Sequence, residues 1–272
     1  MNSIVNNLIR EFGFWLAIAS FAMLTAEKIR PWRAQRALRP ELAQDVFWLI
    51  FNGYFLGALL GPLFRIIDRG LNAPFIALLG ISPADVQILK GVPLWAQVII
   101  VLVVGDFVEW LVHNLLHRVP ALWRIHRLHH SIHIMDWIGN FRFHWSEVIL
   151  YKTVKYLPLA VLGARPEAIL IPAVIALFIG YLNHSNLNIS WGPLRYVLNS
   201  PRMHIWHHDK QIRGRAGVNF AVVFSAWDWL FGTAHMPREA RQPERLGFPG
   251  DERLPVNLFR RFFLPFLDDG KA

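Results

Sequence analysis

Residues 46–64, VFWLIFNGYFLGALLGPLF, run nineteen positions without a charge. As a helix this stretch is long enough to cross the roughly 30 Å hydrocarbon core of a bilayer. It is not alone. Residues 12–26, FGFWLAIASFAMLTA, are uncharged between Glu11 and Glu27, and need snorkelling flanks to span. No small-residue cleavage site follows them, and the next residues, EKIRPWRAQRALRP, are strongly basic, which argues against a signal peptide. Residues 91–105 begin a third apolar helix whose pattern continues through Asp106 and Glu109 to His117, with Pro120 marking its end. Residues 147–164 and 168–186 read as a helical pair broken at GARPEA. The shorter run 71–81 reads as interfacial or re-entrant, and beyond about residue 187 the chain turns polar and rich in turns.

The expected fold is therefore all-α. It is a multi-pass helical membrane protein of about four to five membrane helices with a cytoplasmic, helical, His-rich catalytic cap. Composition agrees: 54% of residues are hydrophobic and only 17% charged, too few to cover a water-facing surface. The net charge is +9, but Lys and Arg crowd residues 28–39 and 118–127, beside apolar runs. That placement fits positive-inside topology and anionic headgroups, not nucleic acid. It puts every His-rich stretch on the cytoplasmic face.

There are no cysteines, which excludes disulfides, Cys-ligated iron–sulfur clusters and thiolate zinc sites. A transition metal here must be held by imidazole, carboxylate or backbone, and there are 12 histidines. HNLLH sets His113 and His117 at i, i+4 on one helical face. HRLHH gathers His126, His129 and His130 on one face, and HIWHH repeats that spacing with His204, His207 and His208. His184 stands at the end of the last apolar segment. A lone histidine beside an apolar helix is usually structural, and His133 and His235 are read so. These nine, all at same-side helix ends, read as a metal site, and are too many for one ion. All-nitrogen ligation suits iron, zinc, copper or nickel, of which iron and copper do oxygen chemistry. Asp106 is placed to orient an imidazole through its second nitrogen; His144 and Glu147 are further candidates to stand behind the ligands. Arg127 is expected to point away as a headgroup or donor contact. A metal carrier and a zinc hydrolase are the alternative functions. The hydrolase would use Asp106, Glu109 or Glu147 as general base.

The run DFVEWLVHNLLHRVPALWRIHRLHHSIHIMDW, then FRFHWSE, NHSN, PRMHIWHH and WDWLFGT, resembles the fatty acid hydroxylase superfamily, also called the sterol desaturase family. The resemblance covers about residues 95–235, with 1–94 as N-terminal membrane helices. Residues 236–272 form a tail, read equally as interfacial or packed on the catalytic domain. The family implies a di-iron centre using O2 to hydroxylate or desaturate a fatty acyl, sterol, carotenoid or alkylglycerol. By motif its ligands would be His113, His117, His126, His129, His130, His184, His204, His207 and His208. It departs from the family's common pattern at Trp110, Asn114 and Trp145, and Gly180 stands where some members carry a tenth histidine. With no fused haem-binding stretch and no cysteine, electrons would come from a separate ferredoxin, rubredoxin or cytochrome b5-type donor.

Overall fold

The computed structural model describes residues 11–59, 78, 80 and 86–267. Among these, every regular element is helical apart from one isolated antiparallel bridge, Asp209 to Leu246. Helix α1 spans Phe12–Ile29, and α2 spans Leu42–Leu59. Then come α3, Leu94–Arg118, and α4, Pro120–His126. Helices α5, Trp145–Val161, and α6, Pro166–His184, follow one another across the expected break, and both pack on α3. The rest is short: α7, Pro201–His204, α8, Ala226–Leu230, α9, Leu258–Phe262, and α10, Leu264–Leu267.

Local chemistry sets several boundaries. Pro120 pushes Val119 out of helical geometry, to φ −99 and ψ 114, and ends α3 at Arg118. Gly163, at φ +85, makes the left-handed turn between α5 and α6. A π-helical turn at Phe51–Phe55 widens α2, and there the Asn52 amide donates to the carbonyls of Phe141 and Phe143 at 3.0 and 2.8 Å. Gly53 lies in the same turn because a Cβ would come within 2.6 Å of Leu16.

Four helices, α1, α2, α3 and α6, are long and apolar enough to cross a membrane. Only 11–33% of their apolar windows is buried within the protein. Side chains such as Phe21 and Trp95, 73% and 69% exposed, face outward as lipid-facing residues do. The span expected at 46–64 begins earlier, at Leu42, and its far end lies outside the described residues, as does nearly all of 71–81. Helix α5 carries Lys152 and Lys155 and is not among the four.

Helix α6 packs between α1 and α3. At one end of the bundle the Glu27 carboxylate accepts from the backbone N–H of Trp137 and Asn186, at 2.9 and 2.7 Å. This draws the ends of α1 and α6 to the 131–144 segment. At the other end Leu89 N–H donates to Leu162, and Arg165 N–H to Gln97. The His-bearing ends of α3 and α6 are therefore on the same side. A buried ion network anchors that side: Arg142 grips Asp45 with Nε and Nη2 and donates to the Ser131 carbonyl, while Arg39 bridges Asp45 and Asp136. Each charge is paired, which is what makes its burial tolerable. The C-terminal helices pack onto this domain: Phe262 stacks on Trp48, and its carbonyl accepts from Trp145.

Candidate metal centre

Nine imidazoles from six places in the chain converge at the same-side ends of α3 and α6. They form two groups, His113, His117, His126, His130 and His207, and His129, His184, His204 and His208, with one nitrogen from each within 4.8 Å of the others in its group. All are buried except His117, which is half-buried.

The two HxxHH motifs do not act as units. The expectation of three imidazoles on one helical face fails because α4 ends at His126, and the chain re-enters as a tighter turn at His129–Ser131. Within the first motif the i, i+4 pair His126 and His130 joins one group, and His129 turns to the other. In the second motif the pair His204 and His208 joins His129, and His207 crosses back. Each motif thus contributes to both groups, two residues to one and one to the other. The adjacent rings His129–His130 and His207–His208 hold the groups side by side.

Nitrogen geometry shows what the groups fit. His126 Nε2 has three imidazole nitrogens at 3.1 Å, from His113, His117 and His130. One ring nitrogen cannot satisfy three such neighbours with a single proton. In the other group His184 Nε2 stands 3.1 Å from His129 Nε2 and 3.2 Å from His204 Nε2. A metal holding nitrogens at about 2.1 Å spaces neighbouring ligands about 3.0 Å apart at right angles and about 3.4 Å in a tetrahedron. Buried His207 Nε2 and both nitrogens of His208 have no hydrogen-bond partner among the described residues. Converging lone pairs and orphaned nitrogens are what two divalent cations would satisfy.

The opposite ring edges are clamped. His113 Nδ1 donates to the Phe220 carbonyl at 2.7 Å, His207 Nδ1 to Val218 at 2.8 Å, and His117 bonds the carbonyl of Ala216. Alternate carbonyls of one segment thus orient three rings of one group. His184 Nδ1 donates to Gly180 at 2.9 Å. His126 Nδ1 donates to Glu147 Oε1 at 2.7 Å, with both side chains fully buried. Each such bond fixes the tautomer that leaves Nε2 unprotonated for an ion. Burial, then the neighbouring imidazoles, holds His126, His129, His130, His204, His207 and His208 well below the ordinary 6.5, so they are neutral and ready to ligate. Burial alone pushes the Glu147 carboxyl well above its usual range, and a cation on His126 would draw it back down, so the charged carboxylate belongs with the loaded site.

The remaining candidates are placed differently. Asp106 reaches no imidazole; its oxygens accept from the N–H groups of Val223 and Phe224 and from Trp227 Nε1. It holds the chain just beyond the clamping carbonyls. Asp228 does the same from the other side, accepting from the N–H groups of Phe220 and Ala221 and from Trp110 Nε1. His144 caps α5 and bonds Ser146 and the Phe262 carbonyl, away from both groups. Glu109 pairs with Lys155. Arg127 is 6% exposed and does not reach outward as expected. His133 pairs with Asp251, and His235 packs on Trp206, both outside the groups. The 216–220 segment was not foreseen, since it acts through backbone carbonyls and carries no side-chain signal.

A cavity of about 500 Å³ opens onto the first group, with His117, His130 and His207 in its lining. Trp123 packs on His117 and His130 there, and Phe220 on His113, His117 and His207.

The comparisons with known proteins point the same way. A family model described as fatty acid hydroxylase matches residues 98–233. Ornithine lipid hydroxylase OlsE of Rhizobium tropici is 35% identical over 145 residues, 53% of this chain and 44% of that protein. Methylsterol monooxygenase 1-1 of Arabidopsis thaliana is 24% identical over 156 residues, 54% and 52% of the two chains. Alkylglycerol monooxygenase of Homo sapiens is 30% identical over 135 residues, 49% of this chain and 29% of that one. The chain thus spans about half or less of the length of these relatives. No solved structure matches.

Proposed function

The chain belongs to the fatty acid hydroxylase family, and from that premise we propose that it is a membrane-embedded lipid hydroxylase working with two iron ions and O2. The observation that carries this reading is the pair of all-imidazole groups at one end of the membrane helices, each with its donor nitrogens converging at ligand spacing. His113, His117, His126, His130 and His207 would hold one ion, and His129, His184, His204 and His208 the other. The relatives named above are hydroxylases and monooxygenases of lipids, and a fatty acyl, sterol, carotenoid, alkylglycerol or ornithine lipid is the class of substrate to test. A zinc hydrolase would need a free carboxylate base. Glu147 is committed to His126, Asp106 to the 223–227 backbone and indole, and Glu109 to Lys155, so none of these three candidates is free to serve as that base.

Bound iron would supply the reduction of O2 that breaks an unactivated C–H bond. The balance is R–H + O2 + 2 electrons + 2 protons → R–OH + water. The chain's own part is positional. Carbonyls 216, 218 and 220 and the Glu147 carboxylate hold four rings in one tautomer, so no proton has to leave a ligand when the ion binds. Phe143, stacked 4.2 Å from His129, and Phe220, packed on His207, cover one side of these rings. Electrons come from a separate ferredoxin, rubredoxin or cytochrome b5-type protein. The His end faces the cytoplasm, as the Lys and Arg of 28–39 and 118–127 direct.

The test has two parts. Iron-replete protein is expected to hold about two irons per chain, as two separate donor groups of this type require. Lipid profiling of cells with and without the gene, under isotopically labelled O2, is expected to show one labelled oxygen in a lipid. Less than one metal per chain, or a product lacking the label, would overturn the reading. Loss of two hydrogens without a gain of oxygen would instead identify desaturation.

A further inference from the structure

The cavity beside His117, His130 and His207 pairs apolar walls, Trp123, Ile212 and Phe248, with a cationic rim. Its lining includes Arg118, Arg213 and Arg215 against a single carboxylate, Asp209. Arg213 is spent: it pairs with Asp209 at 2.8 Å and lies over the Trp206 ring at 4.7 Å. The other two are available. Arg118 makes one long bond, 3.4 Å, to the Asn114 carbonyl oxygen, and the Arg215 guanidinium makes no hydrogen bond or ion pair with another described residue. Both are exposed.

The height of this rim matters. Arg118 is the last residue of the spanning helix α3, so the rim stands where the hydrocarbon core gives way to headgroups. Below Arg118, at i−3, i−7 and i−14, lie Leu115, Leu111 and Val104, 43%, 44% and 44% exposed. These spacings place them on one face of α3, an apolar track up to the cationic rim. The Arg215 loop is also pressed onto the site. Gly217, at φ +113, is where a Cβ would stand 3.3 Å from His117 Nδ1. Arg215 lines the same cavity as His117, His130 and His207.

We infer that this cavity seats the anionic headgroup of the lipid substrate, a carboxylate or a phosphate, gripped by Arg118 and Arg215. The tail lies along Leu115, Leu111 and Val104. The carbon presented to the His113–His207 group therefore belongs to the headgroup or to the first few bonds of the chain, not to the deep acyl tail. This rests on the hydroxylase reading for the reaction, but the binding step stands apart from it.

The experiment uses the iron-loaded full chain in detergent, without electron donor, so that no turnover occurs. Binding is measured for two matched pairs of probes: dodecanoylglycine and its methyl ester, and dodecanoylglycerol phosphate and dodecanoylglycerol. The charged member of each pair is expected to bind about tenfold more tightly, the equivalent of about 1.4 kcal/mol. The Arg118→Gln, Arg215→Gln double variant is expected to reduce that preference to about twofold while the neutral probes bind as before, and the Lys, Lys variant to restore most of it. Unchanged iron content and circular dichroism show that the variants are folded. Equal binding of charged and neutral probes by the wild type would overturn the proposal. So would inorganic phosphate or acetate competing as well as the charged lipid at equal concentration. A double variant that keeps the wild-type preference for the charged probes would also overturn it. Failure of the hydroxylase reading shows separately, in the lipid profiling under labelled O2, as absence of labelled product while binding here is intact.

Discussion

Replacing Glu147 tests the logic of the metal centre most directly. Its Oε1 accepts from His126 Nδ1 at 2.7 Å in a fully buried setting, and His126 Nε2 stands 3.1 Å from three other imidazole nitrogens. Glu147→Gln keeps the shape and one acceptor, but replaces a charge-assisted bond with a neutral one. The difference between the two bond types is about 1–1.5 kcal/mol, which is roughly five- to tenfold in affinity for an ion on His126. Glu147→Ala removes the bond entirely and leaves a buried N–H without a partner, at about 2–3 kcal/mol or roughly thirty- to hundredfold. The assay is iron release to a competing chelator, monitored as two phases because two groups are present. The faster phase should accelerate in the order Ala, then Gln, then wild type, with the second phase, from the His129–His184–His204–His208 group, nearly unchanged. Equal acceleration of both phases, or no difference between Gln and Ala, would refute the claim that Glu147 acts through His126 on one ion.

Other outcomes follow from the same geometry. His129→Ala and His184→Ala, 55 positions apart, should lose the same iron, whereas His130→Ala should resemble His113→Ala; metal content and electronic spectra of the four variants decide this. Gly217→Ala should destabilise by about 1–3 kcal/mol from its left-handed φ alone, and its Cβ crowds His117, so thermal unfolding and iron retention should both suffer. In metal-free protein six buried histidines outside the membrane helices titrate well below 6.5, so the unfolded chain binds more protons as the pH falls. Stability should drop as pH falls below about 6.5 and level off above it, and a midpoint that rises on acidification would contradict the burial argument. His133→Ala and His235→Ala should leave iron content at the wild-type value, since neither ring belongs to either group.

The helices were legible because their signal is local. The apolar runs at 12–26 and 91–117, the Pro120 stop and the Gly163 break reappear in the structure within a few residues. The nine histidines were legible because HxxxH and HxxHH are unusual strings of one chemistry. What the spacing could not convey is which ring joins which group. The spacing predicts a continuous helix through 126–130, and the chain instead breaks after His126. Asp106 lies on the same helical stripe as His113, which predicts a place behind a ligand, but a stripe says nothing about the loop packed against it, and residues 223–227 take both its oxygens.

Sequence by itself determined that this chain belongs in a membrane, that its helices end in a bank of imidazoles, and that no thiolate takes part. Those properties follow from composition and from residues a few positions apart. Tertiary structure alone decided the division into five and four rings, the exchange of one histidine between the two HxxHH motifs, and the alternate carbonyls of 216, 218 and 220 that orient the first group. The physical reason is that an ion and a hydrogen bond respond to atoms within about 3 Å in space. Residues 113, 126, 207 and 220 meet only after α3, α4 and the 201–221 segment have packed.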